Sequence, residues 1–165
     1  KLGLASTIKQ AKKFVEKERV VIRLISMDEM DILSGDPVRP HIEKTSVGKQ
    51  VYVLDDKSAV ICICYCTQIP MTEEELEEYK NDNGSIAVAY TVWSSKKGAG
   101  RAIVNKLADL MKGKQGVYRL VTLSPLTEMA SKFHIRNGAT RISQSDTCQN
   151  FEYIIDDNEI FGVPV

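Results

Sequence analysis

The chain has 165 residues, which is enough for one domain with a substantial hydrophobic core. Hydrophobic residues make up 43% of it and charged residues 27%, and Lys plus Arg equals Asp plus Glu at 22 each. This balance is typical of a globular domain and gives no overall charge that would favour nucleic acid or an anionic membrane as a partner. No apolar run approaches the ~20 residues that a membrane-spanning helix needs, so we expect no membrane partner.

The first half of the chain predicts an amphipathic helix, then short strands and helices. Apolar residues recur at the helical period over residues 5–18, and we take a helix at about 4–18 as an N-terminal extension. The elements after it are a strand at 19–25, a short helix at 28–33, a β-hairpin with strands at 49–54 and 59–69, and an acidic helix at 71–82.

The second half alternates strands with helices. Residues 86–93 are apolar at nearly every position, which predicts a central strand covered on both faces. The elements after it are a helix with Ile103, Leu107 and Met111 at the helical period, a strand at 118–123, a helix at 127–137, and strands at 139–145 and 150–155. This order predicts a single α/β domain over residues 1–165, with a sheet of mixed strand direction and helices on both faces.

Four cysteines are present, and three of them alternate along one predicted strand. Cys62, Cys64 and Cys66 share one face with no CxxC or His spacing nearby, a pattern that does not suit a tetrahedral metal ion. We interpret them as small hydrophobic core residues, because free cysteine is among the most buried residue types. Reduced thiols and the lack of a visible signal peptide indicate a cytoplasmic protein, and we expect no metal site.

A glycine-containing turn connects the central strand to the next helix. Gly98 and Gly100 leave backbone N–H groups free at a helix N-terminus, where the helix dipole favours an anion. Lys96, Lys97 and Arg101 add positive charge at the same place. Neither the dinucleotide-binding GxGxxG pattern nor the P-loop pattern is complete, so the turn is either a pyrophosphate site of another kind or only a tight turn.

The turn resembles the phosphate motif of the GNAT superfamily of acyl-CoA-dependent acyltransferases. That motif reads Gln/Arg-x-x-Gly-x-Gly/Ala, and residues 95–100 match its two glycine positions, with Ser95 in place of Gln or Arg. The family segment Tyr-x-x-x-Gly-Phe/Ala has its counterpart at residues 134–139, where His134 replaces the tyrosine. The resemblance covers roughly residues 49–155. It implies one GNAT-like domain with a mixed, mostly antiparallel sheet of about seven strands and helices on both faces.

The same resemblance implies a site for acetyl-CoA. The expected cofactor contacts are Lys96, Lys97, Gly98, Ala99, Gly100, Arg101 and Thr127. A backbone N–H near Val92 would polarise the thioester carbonyl, and Trp93 would either line the cleft or fill the core. His134 would protonate the departing thiolate, or it is a half-buried residue that is hydrogen-bonded to a neighbour.

Two segments, "TLSP" and "FHIRNGA", also resemble the catalytic, GNAT-like portion of malonyl-CoA decarboxylases. A serine and a histidine of that family are implicated in catalysis, and they correspond to Ser124 and His134. The family's helical domain has no counterpart here, and a serine before a proline is also a common turn former. Because Ser124 ends a strand, where sheets of α/β proteins open to ligands, we expect the two side chains to share one thioester site.

Three functions remain open, and acyl transfer comes first. An N-acetyltransferase would transfer the acetyl group directly to a small-molecule or protein amine, although the central strand offers no carboxylate as general base. A decarboxylase of a malonyl-type CoA thioester would need no base and would use Ser124 and His134. A non-catalytic module would only bind CoA or a partner.

Two further residues and the assembly complete these expectations. Arg39 and His41 precede the hairpin, where GNAT folds shape the acceptor cleft, and we consider them as substrate-binding residues. The alternative for both is a solvated turn, because loops are polar by default. A homodimer is compatible with each of the three functions.

Overall fold

A computed structural model of the chain describes residues 7–12 and 20–156. Residues 7–12 are helical (α1), and the rest of the helix predicted at about 4–18 lies outside the described residues. The other elements are β1 (Ile22–Leu24), a 3-10 helix (Met27–Gly35), β2 (Lys49–Leu54), β3 (Ala59–Cys66), α2 (Glu73–Tyr79), β4 (Ile86–Ser94), α3 (Ala99–Lys112), β5 (Arg119–Thr122), β6 (Ser124–Pro125), α4 (Glu128–Arg136), β7 (Thr140–Gln144) and β8 (Cys148–Tyr153).

The strands form one sheet in the order β1-β2-β3-β4-β5-β8-β6, and β7 pairs with β8. All of these pairs are antiparallel except β4 with β5, which run parallel. The predicted mixed, mostly antiparallel sheet is therefore confirmed. The described part holds eight strands rather than about seven, because the two-residue β6 follows directly after the strand predicted at 118–123, which corresponds to β5.

Each face of the sheet has its own hydrophobic core. On one face α3 packs through Ile103, Leu107 and Met111 against β8, and Phe133 of α4 joins the same cluster. The opposite face is covered by α2, through Leu76, and by the segment that contains Ile42. Both faces of the sheet are covered, as the apolar strands require.

The four cysteines are free and buried, so the prediction of Cys62, Cys64 and Cys66 as core residues is confirmed. Cys62, Cys64 and Cys66 lie together in the cluster on the α2 face. Within residues 7–12 and 20–156, no group of three or more His, Cys, Asp or Glu side chains is arranged to hold a metal ion. No helix in the same part of the chain has the length and apolar character needed to cross a bilayer.

The parallel pair β4–β5 separates towards its carboxyl end and thereby opens the sheet. Ile86 to Ala89 pair with β5, and the last bond of the pair joins the Leu123 N–H to the Ala89 carbonyl at 2.8 Å. In the pairing of β4 with β3, Ala89 and Thr91 face consecutive residues, so Tyr90 forms a β-bulge. A bulge bends its strand, and the carboxyl ends of parallel strands are where α/β sheets bind ligands.

Candidate active site

A cavity of about 290 Å³ lies where β4 separates from β5 and β6. We call it the central cavity. Helix α4 forms its wall on the α3 face of the sheet, and the loop after the 3-10 helix forms its wall on the α2 face. The lining residues that the sequence had singled out are Arg39, Val92, Trp93, Gly100, Ser124, Thr127 and His134. Residues that are far apart in the sequence are thus brought to one place.

The turn at residues 95–100, which we call the phosphate turn, has the geometry of an anion site. Gly98 is the N-cap of α3 with a φ of +83°, a left-handed conformation that glycine adopts without strain. The first bond of the helix runs from Ala102 to the Gly98 carbonyl, and the Gly98, Gly100 and Arg101 N–H groups make no hydrogen bond to any described residue. Free N–H groups at a helix N-terminus bind anions, and Lys96 is exposed beside them.

Ala99, one of the expected cofactor contacts, already uses its backbone N–H group within the protein. The N–H of Ala99 donates to the Lys96 carbonyl at 3.1 Å, and the Ala99 side chain is buried. The backbone N–H groups that remain free in the phosphate turn are therefore those of Gly98, Gly100 and Arg101. The exposed side chains of Lys96 and Lys97 add positive charge beside them.

A groove of about 410 Å³ runs along the phosphate turn and meets the central cavity. Ser94, Gly100 and Phe133 line both spaces, so the two are contiguous. A Cβ atom at Gly100 would lie 3.4 Å from the Phe133 ring and 3.5 Å from the Ser94 hydroxyl. A side chain at position 100 would therefore fill the space between the groove and the cavity, which stays open because this residue is glycine.

His134 lies on α4 and is 6% exposed. Its ring stacks on Phe151 with centroids 5.3 Å apart, and its Nδ1 is 2.7 Å from the Tyr153 hydroxyl. Burial lowers the pKa of His134 from 6.5 to about 4, because the imidazolium would lose its solvation there. The side chain is therefore neutral near pH 7 and fixed in orientation.

Tyr153 is the hydrogen-bond partner of the Nδ1 atom of His134. Burial raises the pKa of Tyr153 well above its ordinary value of 10, so the phenol keeps its hydrogen. The side-chain nitrogen of Asn137, which is also buried, has no hydrogen-bond partner among the described residues. When the phenol donates its hydrogen to Nδ1, the imidazole proton lies on Nε2. The sequence analysis missed Tyr153.

Ser124 lies at the start of β6 and is buried. Its hydroxyl is 2.8 Å from the Thr122 hydroxyl, whose oxygen accepts the Phe151 N–H at 3.0 Å. Within the described residues, no hydrogen bond joins Ser124 to His134. The Ser124 hydroxyl is bonded to Thr122, and the His134 ring is bonded to Tyr153. The two side chains share the central cavity but do not form a nucleophile–base pair.

Arg39 is 3% exposed and bridges the gap in the sheet. One guanidinium nitrogen, Nη1, donates to the Tyr90 carbonyl on β4 at 2.7 Å and to the Leu123 carbonyl after β5 at 2.9 Å. Its Nε donates to Glu73 at 3.2 Å. The side chain occupies the wall of the central cavity opposite α4, so Arg39 does not belong to a solvated turn.

The loop that carries Arg39 is held by a buried ion pair. Asp36 accepts the Val38 and Arg39 N–H groups and the Thr91 hydroxyl through Oδ1, and Lys44 lies 3.1 Å from its Oδ2. An aspartate that accepts the N–H groups two and three residues ahead is a known turn pattern. The residues 36–39, "DPVR", therefore carried a sequence signal for this turn.

His41, the other expected substrate residue, lies outside the central cavity. It is 62% exposed, and its Nε2 is 2.5 Å from Glu73 Oε1. The pKa of Glu73 is lowered, because the hydrogen bond from His41 and the charge of Arg39 outweigh the opposing effect of burial.

The side chains around the central cavity are mostly apolar. Among the described residues that line it there is no Asp or Glu, and the positive charge comes from Arg39. With His134 neutral, the cavity offers hydrogen-bond donors and one cation but no carboxylate base. Such a site suits a reaction that develops negative charge in the substrate.

No model of a known protein family matches the chain, and no curated protein matches it. Solved structures do. The loading GNATL domain of CurA from Lyngbya majuscula has a TM-score of 0.61 at 11% identity, over 82% of this chain and 98% of that one. The GphF GNAT-like decarboxylase, in complex with isobutyryl-CoA, gives 0.63 at 11% identity, over 82% and 99%. Arabidopsis thaliana NAA60, in complex with a bisubstrate analogue, gives 0.57 at 11% identity, over 81% and 98%.

These similarities establish the fold. The chain has the GNAT fold, so the resemblance seen in the sequence is confirmed for the fold. The compared structures include a GNATL domain and a GNAT-like decarboxylase, and the decarboxylase was solved with isobutyryl-CoA.

Proposed function

We propose that the protein binds an acyl-CoA thioester and decarboxylates a malonyl-type acyl group. The observation that carries this proposal is the gap between β4 and β5, which the buried guanidinium of Arg39 closes on the face opposite α4. An amine acceptor would have to enter beside the thioester and then lose a proton. Decarboxylation needs neither an acceptor nor a base.

Coenzyme A binds along the phosphate turn and the adjoining groove. The free N–H groups of Gly98, Gly100 and Arg101 hold the pyrophosphate, with Lys96 and Lys97 close by. The pantetheine arm then passes Gly100 and Phe133, and the thioester reaches the central cavity. The fold match to GphF, which was solved with isobutyryl-CoA, supports this arrangement.

The reaction breaks the bond between C2 and the carboxylate of the acyl group. Carbon dioxide departs, and the bonding electron pair forms a thioester enolate. The Nε2–H of His134 and a backbone N–H near Val92 stabilise the enolate oxygen, a task that a neutral imidazole performs well. C2 then takes a proton from the Ser124 hydroxyl, which recovers one from solvent, and the thioester remains intact.

N-acyl transfer from acetyl-CoA to a small-molecule or protein amine is the second candidate, and the sequence alone had placed it first. The fold match to NAA60 supports it. Two features of the cavity oppose it. No Asp or Glu among the described lining residues can accept the proton of the amine, and a histidine with a pKa of about 4 carries no extra proton for the thiolate at neutral pH.

The experiment measures carbon dioxide release from malonyl-CoA and, separately, acetyl transfer to a panel of amines. We expect carbon dioxide from the wild type and a loss on the order of 10²–10³ in turnover for His134→Ala. Ser124→Ala should also be slower, and Lys132→Ala, an exposed change on the same helix, should not differ from the wild type.

His134→Tyr separates the two reactions. It places the usual residue of GNAT acyltransferases at this position, so transfer would survive in a transferase, whereas decarboxylation would be lost with the imidazole. Acetylated amine without any carbon dioxide from malonyl-CoA would overturn the proposal. Binding of CoA without either product would indicate the non-catalytic module.

A further inference from the structure

We infer that Arg39 recognises the free carboxylate of the acyl group and makes the central cavity selective for thioesters of dicarboxylic acids. The inference builds on the proposed function, because it takes the central cavity as the place where the acyl group binds. It adds a residue, on the cavity wall opposite α4, that the Ser124 and His134 motifs do not supply.

The hydrogen bonds of Arg39 leave one donor uncommitted. A guanidinium has five N–H groups. Nε donates to Glu73, and Nη1 donates to the Tyr90 and Leu123 carbonyls. Nη2 is 3.6 Å from the Cys148 sulfur, which is a weak acceptor, and its second N–H has no partner among the described residues. Arg39 thus keeps one strong donor for an oxygen atom of a ligand.

The surroundings of the guanidinium favour an anion. The cavity around Arg39 is lined mostly by apolar side chains, with Ser and Thr hydroxyls and His134 but without any Asp or Glu among the described lining residues. A cation that is 3% exposed and faces such a cavity attracts a carboxylate more strongly than the same cation would in water. An uncharged acyl chain of the same length gains no comparable interaction.

Glu73 moderates this attraction. It pairs with Arg39 from outside the cavity, where its side chain is 35% exposed, and shares its other oxygen with His41. Part of the guanidinium charge is therefore compensated before a substrate binds. This matters for the reaction, because loss of carbon dioxide removes the negative charge of the carboxylate. A very strong ion pair would stabilise the bound substrate more than the transition state and slow the reaction.

The test compares the binding of succinyl-CoA and butyryl-CoA by calorimetry. Both have four-carbon acyl chains, and they differ in a carboxylate or a methyl group at the end, so the comparison does not depend on turnover. We expect the wild type to bind succinyl-CoA tighter by on the order of 10-fold, the effect of one charge-assisted hydrogen bond. Arg39→Gln should bind the two ligands equally, and Arg119→Gln, which changes an exposed arginine on β5, should keep the preference.

Glu73→Gln distinguishes recognition from a purely structural role. It keeps Arg39 in place but removes its counter-charge, so the preference for succinyl-CoA should increase. With malonyl-CoA the same variant should lower both KM and kcat, because the carboxylate is held too tightly. If Arg39 only supported the fold, Glu73→Gln would weaken the preference or leave it unchanged. This variant keeps the inference testable even if Arg39→Gln does not fold.

The outcomes separate this inference from the proposed function. Equal wild-type affinity for succinyl-CoA and butyryl-CoA overturns the role of Arg39, even if carbon dioxide is released from malonyl-CoA. A clear preference for succinyl-CoA without carbon dioxide release supports Arg39 as the carboxylate-binding residue and overturns decarboxylation. Failure to bind either thioester overturns both.

Discussion

At the scale of single residues, the buried imidazole of His134 links stability to pH. Its pKa is 6.5 when unfolded and about 4 in the folded protein, so between these values the unfolded chain binds a proton that the native protein does not. The free energy of unfolding should fall as the pH decreases from about 6.5, with a slope of up to ~1.4 kcal/mol per pH unit. Above pH 6.5 this residue adds no pH dependence.

Urea unfolding at pH 7.5 and pH 5 of the wild type and of His134→Gln measures this effect. The acids with lowered pKa values, Asp36 and Glu73 among them, titrate below this interval even in the unfolded chain. The wild type should therefore lose stability across the interval, and the variant should lose clearly less. Equal losses would mean that His134 is not protected from protonation.

The Tyr153 hydroxyl is the residue-level feature that orients His134. Tyr153→Phe keeps the ring in the core but removes the hydrogen bond to Nδ1, so the position of the imidazole proton is no longer fixed. We expect kcat to fall about 10-fold, the scale of one lost hydrogen bond, while KM changes little. Tyr118→Phe is the matched control, because Tyr118 is 72% exposed. An unchanged kcat for Tyr153→Phe would show that the hydroxyl does not act through His134.

At the scale of elements, the N-terminus of α3 is expected to hold the cofactor. In Gly100→Val the new Cβ would lie 3.4 Å from the Phe133 ring, and two methyl groups would extend beyond it. The substitution therefore narrows the passage between groove and cavity. CoA should raise the thermal midpoint of the wild type, because a ligand that binds only the native state stabilises it. The shift should disappear in Gly100→Val, whose ligand-free form remains folded.

Gly113→Val serves as the control at the other end of α3, where a Cβ would meet only the Leu110 carbonyl at 3.8 Å. It should keep the shift that CoA produces in the wild type. A full shift in Gly100→Val would place the cofactor elsewhere on the protein.

Elements with strong periodicity were predictable from the sequence, and their ends were less so. The apolar run of β4 and the helical spacing of α3 correspond to elements of the expected type. The strand predicted at 118–123 is followed by a further short strand, β6, because Ser124 pairs with Gln149 of β8 directly after the Leu123 N–H has bonded to Ala89. The acidic helix predicted at 71–82 is reduced to Glu73–Tyr79, and Lys80 then forms a bridge with Cys66. Both differences come from partners distant in the sequence.

At the scale of the whole molecule, the sheet gap brings the site together from both faces. Ser124, His134 and the phosphate turn were recognisable because each lies in a local motif. Arg39 was considered only by its position in the chain, and its burial could not be foreseen, since it depends on carbonyls 51 and 84 residues away. Tyr153 was missed for a similar reason, because its contact with His134 requires knowing that β8 lies beside β5.

The division of the molecule into two faces is also the reason why we propose decarboxylation rather than transfer. Helices α3 and α4 supply the cofactor groove and the imidazole on one face. On the other face the Asp36–Lys44 ion pair fixes the loop that places Arg39 in the gap. Under the proposed function, a substrate carried by CoA would enter from the first face, and a second substrate would find the opposite side closed.

The most direct test of this account is the balance of products from malonyl-CoA in a single reaction with an amine present. Carbon dioxide and free CoA thiol are measured together. We predict one carbon dioxide for each malonyl-CoA consumed, accumulation of acetyl-CoA and no free thiol, because decarboxylation leaves the thioester intact. Free thiol that appears in step with the loss of malonyl-CoA, without carbon dioxide, would contradict the account.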